Sequence, residues 1–298
     1  MSRAVALVSD STSVHAELAQ QLDVIAVPLQ VVVGAKAYDE GTGATPEMVA
    51  AALRSRTPVS TSRPAPEAFL RVYERAAKAG AEAIVSVHLS SEVSGTFESA
   101  ELAAQQASIP VYVVDSRQLG MGTGFAVQAA AQALDRGAGA EEAAEVARIR
   151  AAAMTALFYV DTLEHLRRGG RVGATAALLG SALAVKPLLK VENGRIVALE
   201  KVRTSAKALH RMEELAVAAA GDQEVDVAVS HLVNVEAAEA LANKLGDRLP
   251  QLAEVVVTQV GAVIGAHVGP GMLAVVVAPR HPRPLDEAAN TPQGDETL

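Results

Sequence analysis

The chain has 298 residues, of which half are hydrophobic and 3% aromatic, and it contains no cysteine. This composition excludes a disordered chain, a disulfide framework and a thiolate metal site. A net charge of −8 argues against binding to nucleic-acid phosphates, which requires a basic face. The first residues enter a strand pattern at once and lack the shape of a signal peptide, so we predict a cytoplasmic location.

Short apolar runs alternate with alanine-rich helical periods along the first half of the chain. This alternation predicts a parallel sheet covered by helices. The predicted strands are Ala4–Val8, Val24–Val33, Ala83–Val87 and Val111–Val114. The predicted helices are Val14–Leu22, one that opens at Thr45, Pro66–Ala79, Gly95–Ala107 and Met121–Arg136. Ligands of such sheets bind beyond the carboxyl ends of the strands, where the polar turns at Asp10, His88 and Asp115 lie.

A second α/β pattern begins near residue 151. Its predicted elements are a strand Ala156–Val160, a helix that starts near Asp161 and ends at Gly169-Gly170, a hairpin at Asn193-Gly194, strands Val225–Ser230 and Val255–Val260, and a helix Val235–Leu245. We therefore predict two α/β domains, residues 1–150 with a parallel sheet and residues 151–279. The polar, proline-containing segment 280–298 is predicted to be a disordered tail.

The segment 260–271 places His267 among four glycines, inside a run without charged residues. A Gly-Pro-Gly sequence at its end breaks the run, so we do not expect it to cross a membrane. Glycines permit close approach of a ligand to the backbone, and the segment predicts a loop that presents His267. A core hairpin with a loop histidine explains this segment equally well.

Two further segments carry hydroxyl groups. Ser94 and Gly95 open a predicted helix directly after a strand, so hydroxyls, free backbone N–H groups and the positive helix end predict an anion site. Thr61 and Ser62 precede a proline-stiffened turn, which taken alone predicts only a helix cap. No phosphate loop, complete dinucleotide motif or metal-ligand spacing is present, so we predict neither a cofactor nor a metal ion.

Five segments in this order resemble the DegV family of bacterial fatty-acid-binding proteins, and the resemblance runs from Ala4 to about Val277. The segments are 61–64, 94–100, 161–171, 185–189 and 261–271. The resemblance implies two domains with a long-chain fatty acid between them and its chain in an apolar tunnel of the second domain. We expect Thr175–Leu189 and the valine-rich strands to form the wall of this tunnel, and ordinary core packing explains the same stretch about equally well. The resemblance also implies that the protein is not an enzyme and presents the acid to a separate ATP-dependent kinase, which makes an acyl phosphate for phospholipid synthesis.

By motif, the resemblance also implies the roles of individual residues. The fatty acid carboxylate would be bound by Thr61, Ser62, Ser94, Gly95 and His267, and the kinase would be faced by Arg171 and Arg203. Arg63 departs from the glutamine usual in the family and would add positive charge near the carboxylate. Two alternatives stay open: an acyl hydrolase that uses Ser94 and His267 with Asp115 or Asp10, and a regulator that binds a small molecule.

Overall fold

The structure is a computed structural model that describes residues 3–172 and 186–281. The β-strands are β1 (Val5–Asp10), β2 (Val24–Val27), β3 (Gln30–Val33), β4 (Lys36–Asp39), β5 (Val59–Ser62), β6 (Ala83–His88), β7 (Val111–Asp115), β8 (Thr155–Tyr159), β9 (Lys186–Glu192), β10 (Arg195–Val202), β11 (Val225–His231), β12 (Leu252–Gln259) and β13 (Leu273–Pro279). The α-helices are α1 (Ala16–Gln21), α2 (Pro46–Arg54), α3 (Pro66–Lys78), α4 (Thr96–Ala104), α5 (Met121–Asp135), α6 (Ala140–Ala152), α7 (Glu164–Arg168), α8 (Ser205–Ala220), α9 (Val235–Arg248) and α10 (Ala262–Val268).

The first half of the chain contains the predicted parallel sheet, in the order β2-β1-β6-β7 with every neighbouring pair parallel. Successive residues of a strand point to opposite faces, so Leu7 and Val8 pack into different cores. Leu7 packs with α5 and α6 on one face, and Val8 packs with α3 and α4 on the other. This helix-covered parallel sheet confirms the predicted fold class of the first half.

The second half is built on a six-stranded sheet in the order β10-β9-β8-β13-β11-β12. Only β11 and β12 pair in parallel, and the other neighbours are antiparallel. Helices α8 and α9 cover one face. The turn between β9 and β10 has Asn193 and Gly194 at φ values of 51° and 82°, the left-handed pair that tight hairpins require, so the predicted hairpin is confirmed.

The predicted strand Val24–Val33 is wrong as a single element. The chain turns at Pro28, which lacks a backbone N–H and cannot continue a ladder, and it divides the run into β2 and β3. Strand β3 leaves the parallel sheet and pairs antiparallel with both β4 and β5. Helix α6 was not predicted. The proposed domain boundary after residue 150 falls near its end, and the two-domain division at that point stays a prediction.

The glycine-rich segment is also not the predicted loop, because residues 262–268 form helix α10. The hairpin alternative is wrong as well, since β11 lies between β12 and β13 in the sheet. Gly265 packs inside the fold, where an added Cβ would lie 3.2 Å from the Leu232 Cδ1 atom. Gly269 ends the helix with φ of 77°. His267 is therefore held in the last turn of a short helix.

Two predictions fall wholly or largely outside the part of the chain that the structure describes. The structure does not describe residues 175–185 of the predicted tunnel wall. It also does not describe residues 282–298 of the predicted tail. Arg280 is described, and its guanidinium bonds the buried Asp226 carboxylate at 2.7 Å. Within residues 3–172 and 186–281, no helix has the length and apolar character needed to cross a membrane.

Candidate functional site

Thr61 and His267, which are 206 positions apart, meet across the interface between the two halves of the chain. The Thr61 Oγ1 atom lies 2.8 Å from the His267 Nε2 atom. Thr61 lies in strand β5, so the helix-cap interpretation of its segment is wrong; the residue before α3 is Ala65, which makes no side-chain cap bond. The strand and helix α10 thus fix both side chains on ordered backbone.

A cavity of about 140 Å³, here called the inner cavity, lies between the two halves beside this pair. Its polar lining is formed by Thr61, Ser62, Arg63, Ser94, Gly95, Arg171 and His267. Its apolar lining is formed by Leu29, Leu89, Val93, Leu119, Leu166, Ile196, Val263, Ile264 and Val268. The structure therefore brings all five sequence-predicted carboxylate-binding residues to the wall of one cavity, with an apolar surface beside them.

Ser94 and Gly95 lie where β6 leads into α4. Gly95 is the residue before the helix, and the Ser94 Oγ atom lies 2.9 Å from the Thr96 Oγ1 atom. The Arg63 guanidinium crosses Gly95 and donates a hydrogen bond to its carbonyl oxygen at 3.1 Å. A Cβ on Gly95 would lie 2.9 Å from the Arg63 Cζ atom, so the glycine leaves room for a cation at the cavity.

The His267 ring is uncharged at neutral pH. Burial, with a smaller contribution from the positive charge of Arg171, lowers the pKa of His267 to about 4. A neutral imidazole has one N–H donor and one acceptor nitrogen. The ring can therefore satisfy Thr61 and still offer one further hydrogen-bonding nitrogen.

The lowered pKa of His267 predicts a pH dependence of stability. Between the ordinary pKa of 6.5 and about 4, the unfolded chain binds a proton at this side chain that the folded protein does not. Stability is then lost as the pH falls through that window. We expect the thermal midpoint of the wild type to fall more steeply from pH 6.5 to 4 than that of His267→Asn, measured by circular dichroism. Parallel slopes for the two proteins would contradict this assignment.

Helices α7 and α10 pack so that each places a histidine against a glycine of the other segment. A Cβ on Gly169 would lie 2.9 Å from the His267 Cε1 atom, and a Cβ on Gly269 would lie 2.9 Å from the His165 Nε2 atom. The sequence predicted a role for His267 but none for His165. Its position in the segment 161–171, which carried part of the family resemblance, was the available signal.

The two predicted partner-facing arginines differ in their surroundings. The Arg171 Nε atom donates to the Val93 carbonyl oxygen at 3.1 Å, and the Nη1 atom donates to the Gly169 carbonyl oxygen. Arg171 therefore belongs to the wall of the inner cavity. Arg203 is exposed between β10 and α8. Contact of either arginine with a partner stays a prediction.

Glu40 positions the start of helix α10. Its buried carboxylate accepts hydrogen bonds from the Ser11 hydroxyl at 2.5 Å and from the Val263 N–H at 2.8 Å. Burial is the largest influence on this group, and it raises the pKa of Glu40. The contact joins the turn after β1 to the helix that carries His267. Glu40 also lines a separate cavity of about 490 Å³ that contains none of the predicted site residues.

The arrangement that a hydrolase requires is not formed by the predicted residues. Ser94 bonds Thr96, His267 bonds Thr61, and the Asp115 carboxylate accepts a hydrogen bond from the Ser91 hydroxyl. The other candidate acid, Asp10, bonds His88 instead.

A serine, a histidine and an aspartate do form a chain elsewhere. The Ser86 Oγ atom lies 2.7 Å from His88 Nε2, and His88 Nδ1 lies 3.2 Å from Asp10 Oδ2. All three side chains are completely buried, so no substrate can reach them. We interpret this chain as structural. No group of three or more His, Asp or Glu side chains that could hold a metal ion occurs among the described residues.

Comparison with known proteins gives a consistent family match. Residues 4–280 match the family described as "Uncharacterised protein, DegV family". The chain is 53% identical over 281 residues to a DegV domain-containing protein of Streptomyces coelicolor, and the match covers 94% of this chain and 100% of the relative.

Two solved structures are similar over nearly the whole chain. A fatty acid binding DegV family protein from Thermus thermophilus is 35% identical with a TM-score of 0.86, covering 93% of this chain and 100% of that one. DegV from Bacillus subtilis, described as a fatty acid binding protein, is 33% identical with a TM-score of 0.86, covering 94% and 100%.

Proposed function

The chain belongs to the DegV family, and on this premise we propose that it binds a long-chain fatty acid whose carboxylate lies at the polar end of the inner cavity. The main support is the convergence of Thr61, Ser94 and His267 on one cavity that apolar side chains also line. The fatty acid binding of the Thermus thermophilus and Bacillus subtilis relatives supports the same ligand class.

The acyl chain and the carboxylate of the ligand contribute to the binding free energy in opposite ways. Burial of roughly fourteen methylenes at about 0.8 kcal/mol each offers on the order of 11 kcal/mol before the entropy cost of association. A carboxylate removed from water without partners would cost several kcal/mol or more. Hydroxyls, the neutral His267 ring and the Arg63 and Arg171 cations offset that cost, because hydrogen bonds to an ionised group are the stronger kind.

We place the acyl chain against the second half of the molecule. Leu166 and Ile196 line the inner cavity, and both pack in one cluster with Leu189 of β9. A chain that enters between Leu166 and Ile196 is thereby directed towards β9. This direction agrees with the tunnel wall expected from Thr175–Leu189.

In this proposal the protein is a carrier without catalytic residues, acts in the cytoplasm and needs no cofactor. The cargo is presented to an ATP-dependent fatty acid kinase, which makes the acyl phosphate used in phospholipid synthesis. Arg171 beside the cavity and the exposed Arg203 are the proposed contacts with that kinase. Arg171 then places one of the proposed kinase contacts beside the carboxylate, as the transfer reaction requires.

Arg203→Ala should separate kinase recognition from fatty acid binding. Acyl phosphate should form only when carrier, fatty acid, ATP and a purified bacterial fatty acid kinase are all present. Loss of one interfacial charge-assisted contact should slow the reaction about tenfold at subsaturating carrier. Fatty acid affinity, measured by equilibrium titration, should stay within about twofold. Arg136→Ala, at an exposed position after α5, is the matched control.

Two results would contradict this part of the proposal. Acyl phosphate formation without the kinase would make the chain itself a catalyst. An equal loss of fatty acid affinity in Arg203→Ala would place this arginine in the binding site or the fold instead of the kinase interface.

A further inference from the structure

A second cavity, here called the outer cavity, lies on the other side of the Thr61–His267 pair. It has a volume of about 250 Å³. Its lining is formed by Leu53, Val59, Ser60, Thr61, His165, Arg168, Gly169, Arg171, Ala266 and His267. Thr61, Arg171 and His267 line both cavities. A carboxylate bound by these three residues would therefore have the inner cavity on one side and the outer cavity on the other.

The outer cavity has the chemistry of an anion site. Among the described residues, its lining contains two arginines and no acidic residue. The Arg168 guanidinium is paired with Glu164, but both side chains are more than half exposed. Such an exposed pair contributes little and can exchange for a stronger anionic partner. Within residues 3–172 and 186–281, Arg171 donates hydrogen bonds to two backbone carbonyl oxygens and to no carboxylate, so no bonded carboxylate of these residues neutralises its positive charge.

His165 also lines the outer cavity. Its Nδ1 atom is enclosed and has no hydrogen-bond partner among the residues that the structure describes, although an unpaired buried polar atom is costly. Burial, the largest influence, lowers the pKa of His165. The ring is then neutral at pH 7 and adds no positive charge to the outer cavity, so the two arginines supply its charge.

We propose that the outer cavity binds the phosphoryl group of the acyl phosphate as it forms on the bound fatty acid. This inference rests on the proposed function. A carboxylate oxygen attacks the γ-phosphorus of the kinase-bound ATP, an oxygen–phosphorus bond forms, and the bond from the γ-phosphorus to the bridging oxygen breaks. The electron pair of that bond leaves with ADP, and no proton moves.

The transfer changes the bound ligand from a single to a double negative charge. The added charge forms on the side of Thr61 and His267 that faces Arg168, Arg171 and His165. Guanidinium groups suit this product because their planar donors bind phosphate oxygens in pairs. At about 30 Å³ for each water of liquid volume, the outer cavity has room for about eight waters, which is ample for a phosphoryl group.

The test compares two ligands that differ only in that group. Hexadecanoate and chemically prepared hexadecanoyl phosphate would each be titrated against the full chain by displacement of a fluorescent fatty acid. The proteins are the wild type, Arg168→Gln, His165→Ala and, as a matched control, Arg167→Gln. Arg167 is exposed on the same helix and lines neither cavity.

We expect Arg168→Gln and His165→Ala each to weaken binding of hexadecanoyl phosphate by about tenfold and to leave binding of hexadecanoate within about twofold of the wild type. Arg167→Gln should change neither affinity. Equal losses for both ligands, or no loss for either, would overturn the outer cavity as the phosphoryl site.

Wild-type binding of hexadecanoate without binding of the acyl phosphate would overturn only this inference. Wild-type failure to bind either ligand would overturn the proposed function together with it. Arg168 lies on the exposed surface of α7, so the Arg168→Gln variant should fold normally. The test can therefore be read from this variant even if His165→Ala does not fold.

Discussion

Gly169→Ala should lower the affinity for a long-chain fatty acid by roughly thirtyfold, about 2 kcal/mol, although Gly169 does not line the inner cavity. The new Cβ would lie 2.9 Å from the His267 Cε1 atom, which is closer than carbon atoms approach without bonding. The ring must then move and lose its 2.8 Å hydrogen bond with Thr61. Equilibrium titration with a fluorescent fatty acid measures the loss.

Gly246→Ala is the matched control, because no described atom beyond its chain neighbours and the backbone of its own helix lies within 4 Å of the Cβ that this change adds. Gly246 is in helix α9, so its replacement should stabilise the fold by up to about 1 kcal/mol without changing affinity. Wild-type affinity in Gly169→Ala, with the protein folded by circular dichroism, would show that the position of the His267 ring does not matter for binding.

Ser94→Ala and His267→Ala should each weaken fatty acid binding by about 1–3 kcal/mol, the scale of a hydrogen bond to a charged group. Both side chains line the inner cavity. Each substitution removes one of several hydrogen-bond donors to the carboxylate. The double variant should therefore lose more affinity than either single variant, yet retain binding through the buried alkyl chain. The measurement is the fatty acid affinity of the wild type, the two single variants and the double variant, with ester hydrolysis assayed in parallel.

A hydrolase predicts a different pattern. Catalytic residues act as a unit, so each single change would abolish turnover and the double change would cost little more. We expect no ester hydrolysis in the wild type, because Ser94 bonds Thr96 and His267 bonds Thr61. Wild-type hydrolysis that disappears in Ser94→Ala would contradict the carrier function. His210→Ala, at an exposed position of α8, controls for loss of a histidine.

The sequence predicted the regular parts of the fold because their signals are local. Alternating strands and helices identified the parallel sheet, and Asn193-Gly194 identified the hairpin. The segment 260–271 was misassigned because glycines usually break helices. Here Gly261 and Gly269 stand at the two ends of one short helix, and Gly265 inside it permits contact with Leu232. A contact between residues distant in sequence cannot be predicted from the local sequence pattern.

The site could be predicted only in part, for a similar reason. From the residues alone, Thr61 was interpreted as part of a helix cap, and only the family resemblance joined it to His267. Their contact depends on how β5 packs against α10 across 206 positions. His165 carried no separate signal, since its surroundings come from Gly269 and the outer cavity. Tertiary packing, which single-segment patterns do not contain, determines these relations.

Mass spectrometry of the purified protein under non-denaturing conditions tests the carrier function most directly. We expect a mass increase of one long-chain fatty acid for each chain, retained from the expression host and identified in an organic extract of the same sample. His267→Ala should carry a smaller fraction of the lipid, and His210→Ala should carry the wild-type fraction. Protein without lipid that also fails to bind added fatty acid would contradict the account.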